Sequence, residues 1–443
     1  MMKYLLYASI CTLLILQFTS EYTEDWSQLG HDAHRTFFSD SSVSDHLEVA
    51  WQYQLESPGE YFQELCYFTS PAVVGDRVYI LDFDHLYCLS LQTGRLLYEV
   101  PAFSVHPHTP VVADGRVYLA TDRDLFRCLN AYTGEPVWER ELPNLHIVSP
   151  IVDNDAVYVT VDHFSLSRCD LSPCCPMTPQ WSTLLAMDKE TGEEIWRYSV
   201  VNDGLAVMKG VGFPILADET IIFYVNYYKD EKTWDADPKK SSIICLDART
   251  GALKWKREGI LPTPPTSLPG FDPLWMAYYN NNLYIGMSGH VMCVDVETQK
   301  LLWECDDIPG WGLLSVGNGV VVVRSWLQVD CLDAETGEEL WEMPVTGISM
   351  PVMTENEVFI GSDDKTLYRV DIKSGEVIES YYLGDSVYSP VVARGHVLVG
   401  TYGNQIYCLG PSKLHMLVIC TAVVAAVFLS MVVLHKTRAK LRT

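Results

Sequence analysis

The chain is built on an internal repeat. A unit of about forty residues recurs through its central part, the period of a propeller blade made from four short strands, so a single closed ring can use most of the 443 residues. Most units open on a proline, at Pro71, Pro110, Pro150, Pro214, Pro273, Pro351 and Pro390, while Leu313-Leu314-Ser315 stands in that place once. Each opening leads into a β-branched run, a tight turn and a second run. The turns read Gly75-Asp76, Asp114-Gly115, Asn154-Asp155, Asn281-Asn282, Asn318-Gly319 and Arg394-Gly395, residue types that tolerate positive φ in short hairpins. A third strand ends at Asp188, Asp247, Asp295, Asp333 or Asp371, with Ser90 and Asn130 at the same place, and a Thr or Ser with Gly follows. The carboxylate is placed to cap that turn while the glycine takes the left-handed conformation. An aromatic residue then begins the outer strand: Trp138, Trp196, Trp255, Trp303 and Trp341, with Tyr98 once. A ring there buries ~150–250 Å² between neighbouring blades, so these tryptophans are expected to pack blades together.

There are eight openings, but the last unit runs out at Leu409 before any outer strand, and a spare tryptophan strand, Val49-Ala50-Trp51-Gln52-Tyr53, precedes the first opening. The expected fold is therefore all-β, an eight-bladed β-propeller whose last blade is completed by the N-terminal strand carrying Trp51. Such closure removes an unpaired edge.

These repeats resemble the pyrroloquinoline-quinone-like (PQQ-like) β-propeller family, whose blades carry V-Y, then A-L-D-x-x-T-G-x-x-x-W. The resemblance covers Trp26 to Leu409, and Trp26-Ser-Gln-Leu-Gly30-His31-Asp32-Ala-His-Arg35-Thr36 is similar to the family's lead-in. The family includes BamB-type non-catalytic propellers, which are envelope-assembly scaffolds, and quinoprotein alcohol dehydrogenases, which are enzymes on longer chains. The resemblance implies the fold and leaves the function between those two classes.

Both chain ends read as membrane-directed. Lys3 precedes the apolar run Leu5 to Phe18, as in a secretory signal over residues 1–20. Leu414 to Leu434 has no formal charge and is long enough to span a bilayer as one transmembrane helix. The tail 435–443 carries Lys436, Arg438, Lys440 and Arg442 without an acid, which sets it in the cytoplasm and residues 21–413 outside the cell. Of 31 Lys and Arg, only those four and Lys3 lie outside 21–413, against all 57 Asp and Glu within it, so the ectodomain carries about −31. That excess repels nucleic acid and anionic headgroups; the expected partners are an extracellular protein, a peptide or a surface polymer, with the membrane touched through one helix.

Cys88, Cys128, Cys245, Cys293, Cys331 and Cys408 recur at one repeat position, where blades stand too far apart for bridging, and read as small buried core residues. Cys169 with Cys174 or Cys175 could staple an insertion in blade three. Quinoprotein alcohol dehydrogenases stack their cofactor on a vicinal disulfide, but this pair lies in the short stretch Ser172-Pro-Cys-Cys-Pro176 within an insertion.

In a four-stranded blade the first–second and third–fourth connections share one rim, and all the irregularity falls on the other: His163 to Ser182, Asn202 to Phe213, Asn226 to Ser242 and Gly259 to Asp272. That rim, over blades three and four, is the expected binding face, with His106, His108, His146, His163, Trp181, Trp234, Phe271, Trp275 and Trp326 as its candidate residues. Its histidines and the acids Asp82, Asp84, Asp122, Asp124, Asp162, Asp363 and Asp364 show no metal-site spacing and read as solvated loop charges. No cofactor is expected, PQQ and calcium being the two that the resemblance leaves open. No G-x-S-x-G, H-E-x-x-H, phosphate loop or haem motif occurs. The reading is a membrane-anchored extracellular scaffold; the alternative is a quinoprotein-like or metal-dependent enzyme working in the central funnel.

Overall fold

The computed structural model describes residues 24–56, 70–103, 109–121, 125–142, 150–164, 179–201, 207–211, 214–228, 241–260, 275–287, 289–308, 312–347 and 349–411. Eight antiparallel sheets follow one another along the chain, seven of four strands and one of five. Blade one takes Ala72–Val74, Arg77–Leu81, His85–Ser90 and Leu96–Pro101 in simple up-and-down order, and the pattern repeats to blade seven. Blade eight is composite: Val387–Ala393, His396–Thr401 and Gln405–Pro411 are joined at the outer edge by Leu47–Gln54 from the start of the chain. Leu47 pairs with Pro411 and Gln54 with Gln405, so the eight-bladed ring closes on the strand that carries Trp51.

Several neighbouring blades are joined by one device, and Tyr98 OH makes the same kind of bond from blade one to Ala131 O of blade two at 2.8 Å. The indole Nε1 of Trp138 donates to the carbonyl of Lys189 at 3.0 Å, that of Trp196 to Ala248 at 2.9 Å, that of Trp303 to Ala334 at 3.0 Å and that of Trp341 to Ile372 at 2.8 Å. For each of these tryptophans the acceptor directly follows the turn aspartate of the following blade. The ring lies flat on that turn's glycine: a Cβ on Gly192 would meet Trp138 at 2.6 Å, and on Gly251 would meet Trp196 at 2.6 Å. Glycine is thus required there twice over, for contact and for φ near +68°. The turn is held by its aspartate, since Asp188 Oδ1 accepts from the backbone N–H of Glu190 and Thr191 at 3.0 and 2.8 Å. The Thr191 hydroxyl, which donates to the same oxygen at 2.9 Å, and those backbone bonds hold the Asp188 carboxyl below its ordinary pKa.

The core is a set of layers between blades, with Val, Ile and Leu of the inner three strands buried. The six repeat cysteines are buried free thiols within it. Among the described residues no helix is long and apolar enough to cross a membrane; residues 1–20 and 414–434 lie outside the described residues.

Candidate functional site

The lead-in decides which end of the ring is available. Between Glu24 and Ser39 it meets the first strand of each blade, or the turn that follows it, one blade after another. Arg394 N–H of blade eight donates to Glu24 O at 3.1 Å; Trp26 exchanges two 2.7 Å bonds with Val73 of blade one; Val112 N–H of blade two reaches Ser27 O at 2.8 Å. Val152 N–H of blade three reaches the Gln28 side chain at 3.4 Å. Leu216 N–H of blade four reaches Ala33 O at 2.8 Å, Tyr278 N–H of blade five His34 O at 3.0 Å, Val316 N–H of blade six Thr36 O at 2.9 Å, and Met353 N–H of blade seven Phe37 O at 2.9 Å. Trp26, Leu29, Arg35 and Phe37 are buried in consequence. Contacts to the first–second turns, such as Gly75 N–H to Asp25 at 3.0 Å, put this plug at the rim of short turns.

Two salt links lock the plug. His31 Nε2 stands 3.1 Å from Glu24 and its Nδ1 3.8 Å from Asp32. Burial disfavours the imidazolium, but the two carboxylates outweigh it and push the His31 pKa up to about 9. Arg35 Nε donates to Pro214 O at 2.9 Å.

The opposite rim is uneven. In blades one, two, five, six and seven the second strand has five or six residues, but Ala156–Phe164 of blade three and Thr220–Tyr228 of blade four have nine. The extra length, roughly three residues or 10 Å, rises above the neighbouring blades. Blade three's partner strand Pro179–Asp188 follows it, pairing Asp162 with Ser182 and His163 with Trp181. A fifth strand, Val207–Val211, pairs with the raised end of Thr220–Tyr228, Val207 opposite Tyr228, and lies in contact with Pro179–Asp188. Blades three and four are thereby tied into one wall on one rim. The stretches 202–213 and 163–182, read from the sequence as irregular connections, are thus corrected in part to paired strands.

Of the candidate binding residues, His163 and Trp181 are backbone register partners in that wall's hairpin. Trp326 stands in the short connection between Val320–Arg324 and Gln328–Asp333, on the same rim, and is 46% exposed. Trp275 is placed differently: it begins the innermost strand of blade five and is 2% exposed, a core residue. His106, His108, His146, Trp234, Phe271, Cys169, Cys174 and Cys175 lie outside the described residues. Trp138, Trp196, Trp303 and Trp341 occupy the inter-blade device above, Trp51 Nε1 makes the same bond to Leu91 O of blade one, and Trp255 packs partly buried against the core shared by blades four and five. Asp82 is not a solvated loop charge: it is buried, and its Oδ1 accepts from the N–H groups of Asp84 and His85 at 2.8 and 2.7 Å.

One residue on this rim escaped the sequence reading. Arg324 ends a strand of four valines, is 1% exposed, and spends only Nε, on Gly347 O at 3.0 Å. Both Nη atoms are buried without a hydrogen-bond partner. Burial draws its pKa down to about 10, with Asp363 and Asp364 opposing, so it stays cationic at neutral pH. A lone charge ending an apolar strand was the available signal.

Residues 48–162, 177–306 and 287–384 match the family described as outer membrane protein assembly factor BamB. Quinohemoprotein alcohol dehydrogenase ADH IIB of Pseudomonas putida is 26% identical over 141 residues, 29% of this chain and 18% of that protein. The outer membrane protein assembly factor BamB of Kangiella koreensis is 24% identical over 178 residues, 38% of this chain and 45% of that protein. The matched part thus spans less than half the length of these curated relatives. Among solved structures, BamB from Moraxella catarrhalis superposes with a TM-score of 0.60 at 16% identity, covering 83% of this chain and 98% of that one. A europium-containing methanol dehydrogenase gives 0.68 at 13% identity, covering 88% and 98%. Likeness at such identities speaks for the fold alone.

Proposed function

The chain belongs to the family described as outer membrane protein assembly factor BamB, and from that premise we propose that it is a non-catalytic scaffold, tethered to a membrane and facing outward, that binds a protein or peptide on the raised rim of blades three and four. The observation that carries this reading is the asymmetry of the two rims. One is bridged by the lead-in through bonds to all eight blades; the other bears the joined wall and Arg324, whose two Nη atoms are buried without a hydrogen-bond partner.

The anchor fits the same orientation. Gln405–Pro411 runs toward the bridged rim, since its last residue pairs with Leu47, where the outer strand begins. A membrane helix over 414–434 would therefore hold the bridged rim to the bilayer and turn the raised rim away from it. The acid excess suits a partner with a basic surface.

Crosslinking with mass spectrometry on native membranes tests this. Partner crosslinks are expected on Lys209, Lys229, Lys232, Lys239 and Lys240, which lie in or beside the raised strands, and not on Lys189 or Lys373 of the bridged rim. A chain with residues 165–178 replaced by a two-residue turn should lose those partners. Retention of the same partners by that variant, or dye-reducing activity after loading with PQQ and calcium, would overturn the proposal.

A further inference from the structure

We propose that Asp330, Glu339 and Glu342 form a divalent-cation site of the calcium type on the outer half of blade six, at its interface with blade five. Asp330 lies on Gln328–Asp333 and pairs in register with Glu342 on Glu339–Pro344. Normally residues three apart on a strand face opposite sides. Here the register steps from Cys331 opposite Trp341 to Leu332 opposite Glu339, so Leu340 is an extra, bulged residue. The bulge turns Glu339 to the side of Glu342 and Asp330. Leu332, on that same side, packs in the cluster with Trp303 and Val291 of blade five.

The three carboxylates offer oxygens that all lie within 4.8 Å of one another. Two ligands on opposite sides of a calcium ion, at about 2.4 Å each, stand that far apart. A second observation points to a ligand. Asp330 is 3% exposed, and while its Oδ1 accepts from Gln328 Nε2 at 2.6 Å, its Oδ2 is buried without any partner. An unpaired buried carboxylate oxygen beside two further carboxylates is a costly arrangement unless a cation completes it. Burial, with Glu339 and Glu342 adding to it, pushes the Asp330 pKa up to about 6.

The other blades supply the control. The bulge recurs at the same place, yet blade two sets Arg127 there, its Nε 2.8 Å from Glu139, and blade three pairs Glu194 with Arg197. Blade four has Ile244 opposite Lys256, and blade five Met292 opposite Glu304. Blades two and three set an arginine beside a single acid, and blades one and five carry a single acid, Glu99 opposite Tyr87 and Glu304; blade six gathers three acids and no arginine. An all-oxygen set favours a hard ion over zinc or copper. Gln328 Nε2, 3.5 Å from Glu342 as well, belongs to an amide that would offer its carbonyl oxygen to the same point if turned over.

The test uses the full-length chain. Calcium at millimolar concentration is expected to raise Tm by about 2–4 °C over sodium chloride of matched ionic strength. Terbium should give emission sensitised by nearby tryptophan, displaced by calcium. Both responses should vanish in Asp330→Asn, and in Glu339→Gln/Glu342→Gln, whose changes are exposed and leave the core intact. Absence of a calcium response in the wild-type chain, an equal rise with sodium, or responses that survive in the exposed double variant would overturn the site.

Discussion

The indole Nε1 of Trp51 donates a 2.6 Å hydrogen bond to the carbonyl oxygen of Leu91, and the same ring covers Gly94, where an added Cβ would meet it at 2.6 Å. Trp51 belongs to blade eight and Leu91 to blade one, so the device that joins consecutive blades also joins the two ends of the ring. Trp51→Ala is expected to lower unfolding stability by about 3–5 kcal/mol, as other large-to-small core changes do, and Trp51→Phe by about 1–2 kcal/mol, mainly the lost bond. Urea unfolding followed by circular dichroism measures both; an unchanged midpoint for Trp51→Ala would deny that this strand closes the ring.

Two glycines separate conformational strain from contact. Gly75 and Gly192 have φ of 61° and 68°, but nothing lies within 4 Å of a Cβ on the first, whereas the second would strike Trp138 at 2.6 Å. Gly75→Ala should cost about 1 kcal/mol and Gly192→Ala about 3 kcal/mol or more. Equal losses in thermal unfolding would mean that the tryptophan does not press on the turn.

His31 makes the plug sensitive to alkali. Its folded pKa of about 9 lies above the unfolded value near 6.5, so the folded state binds the extra proton between them. The stabilisation is full below about pH 6.5 and is lost as pH rises through 9, an amount on the order of 3 kcal/mol. Denaturation midpoints should fall across that window in the wild-type chain and flatten in His31→Gln. A flat wild-type profile would remove the ion pairs from consideration.

The repeat thiols are masked by burial. It pushes Cys128, Cys293 and Cys331 up to about 12, far from the thiolate form at neutral pH. Maleimide labelling of these three, read by peptide mass spectrometry, should be absent in the native protein and should rise together with global unfolding. Fast native labelling of any one would contradict its place in the core.

The blades were legible because each repeat position answers to a local physical demand. Aspartate, threonine and glycine make the turn at Asp188 to Gly192, and the ring at Trp138 needs that glycine, so spacing alone carried the count of eight and the role of the Trp51 strand. Much of the raised rim was hidden. Val207–Val211 reads Val-Met-Lys-Gly-Val, too short and mixed for a period of two, and becomes a strand only because the edge of Thr220–Tyr228 stands above its own blade. Trp275 looked like a face residue by type, yet its place at the start of an inner strand buries it. The plug was unreadable for a further reason. Its contacts are mostly main-chain bonds, which any residue can make and no composition announces.

Because residues 24–54 touch every blade and finish the eighth, a ribosome releases the keystone first and the arch last. Until residue 411 has been made, the opening segment has no completed seat, and each finished blade waits with an exposed flank. Folding must therefore be committed late and nearly all at once, with long-range contacts that slow it. A chain stopped anywhere within blade eight would leave Leu47–Gln54 without its neighbour and the whole circle unlatched.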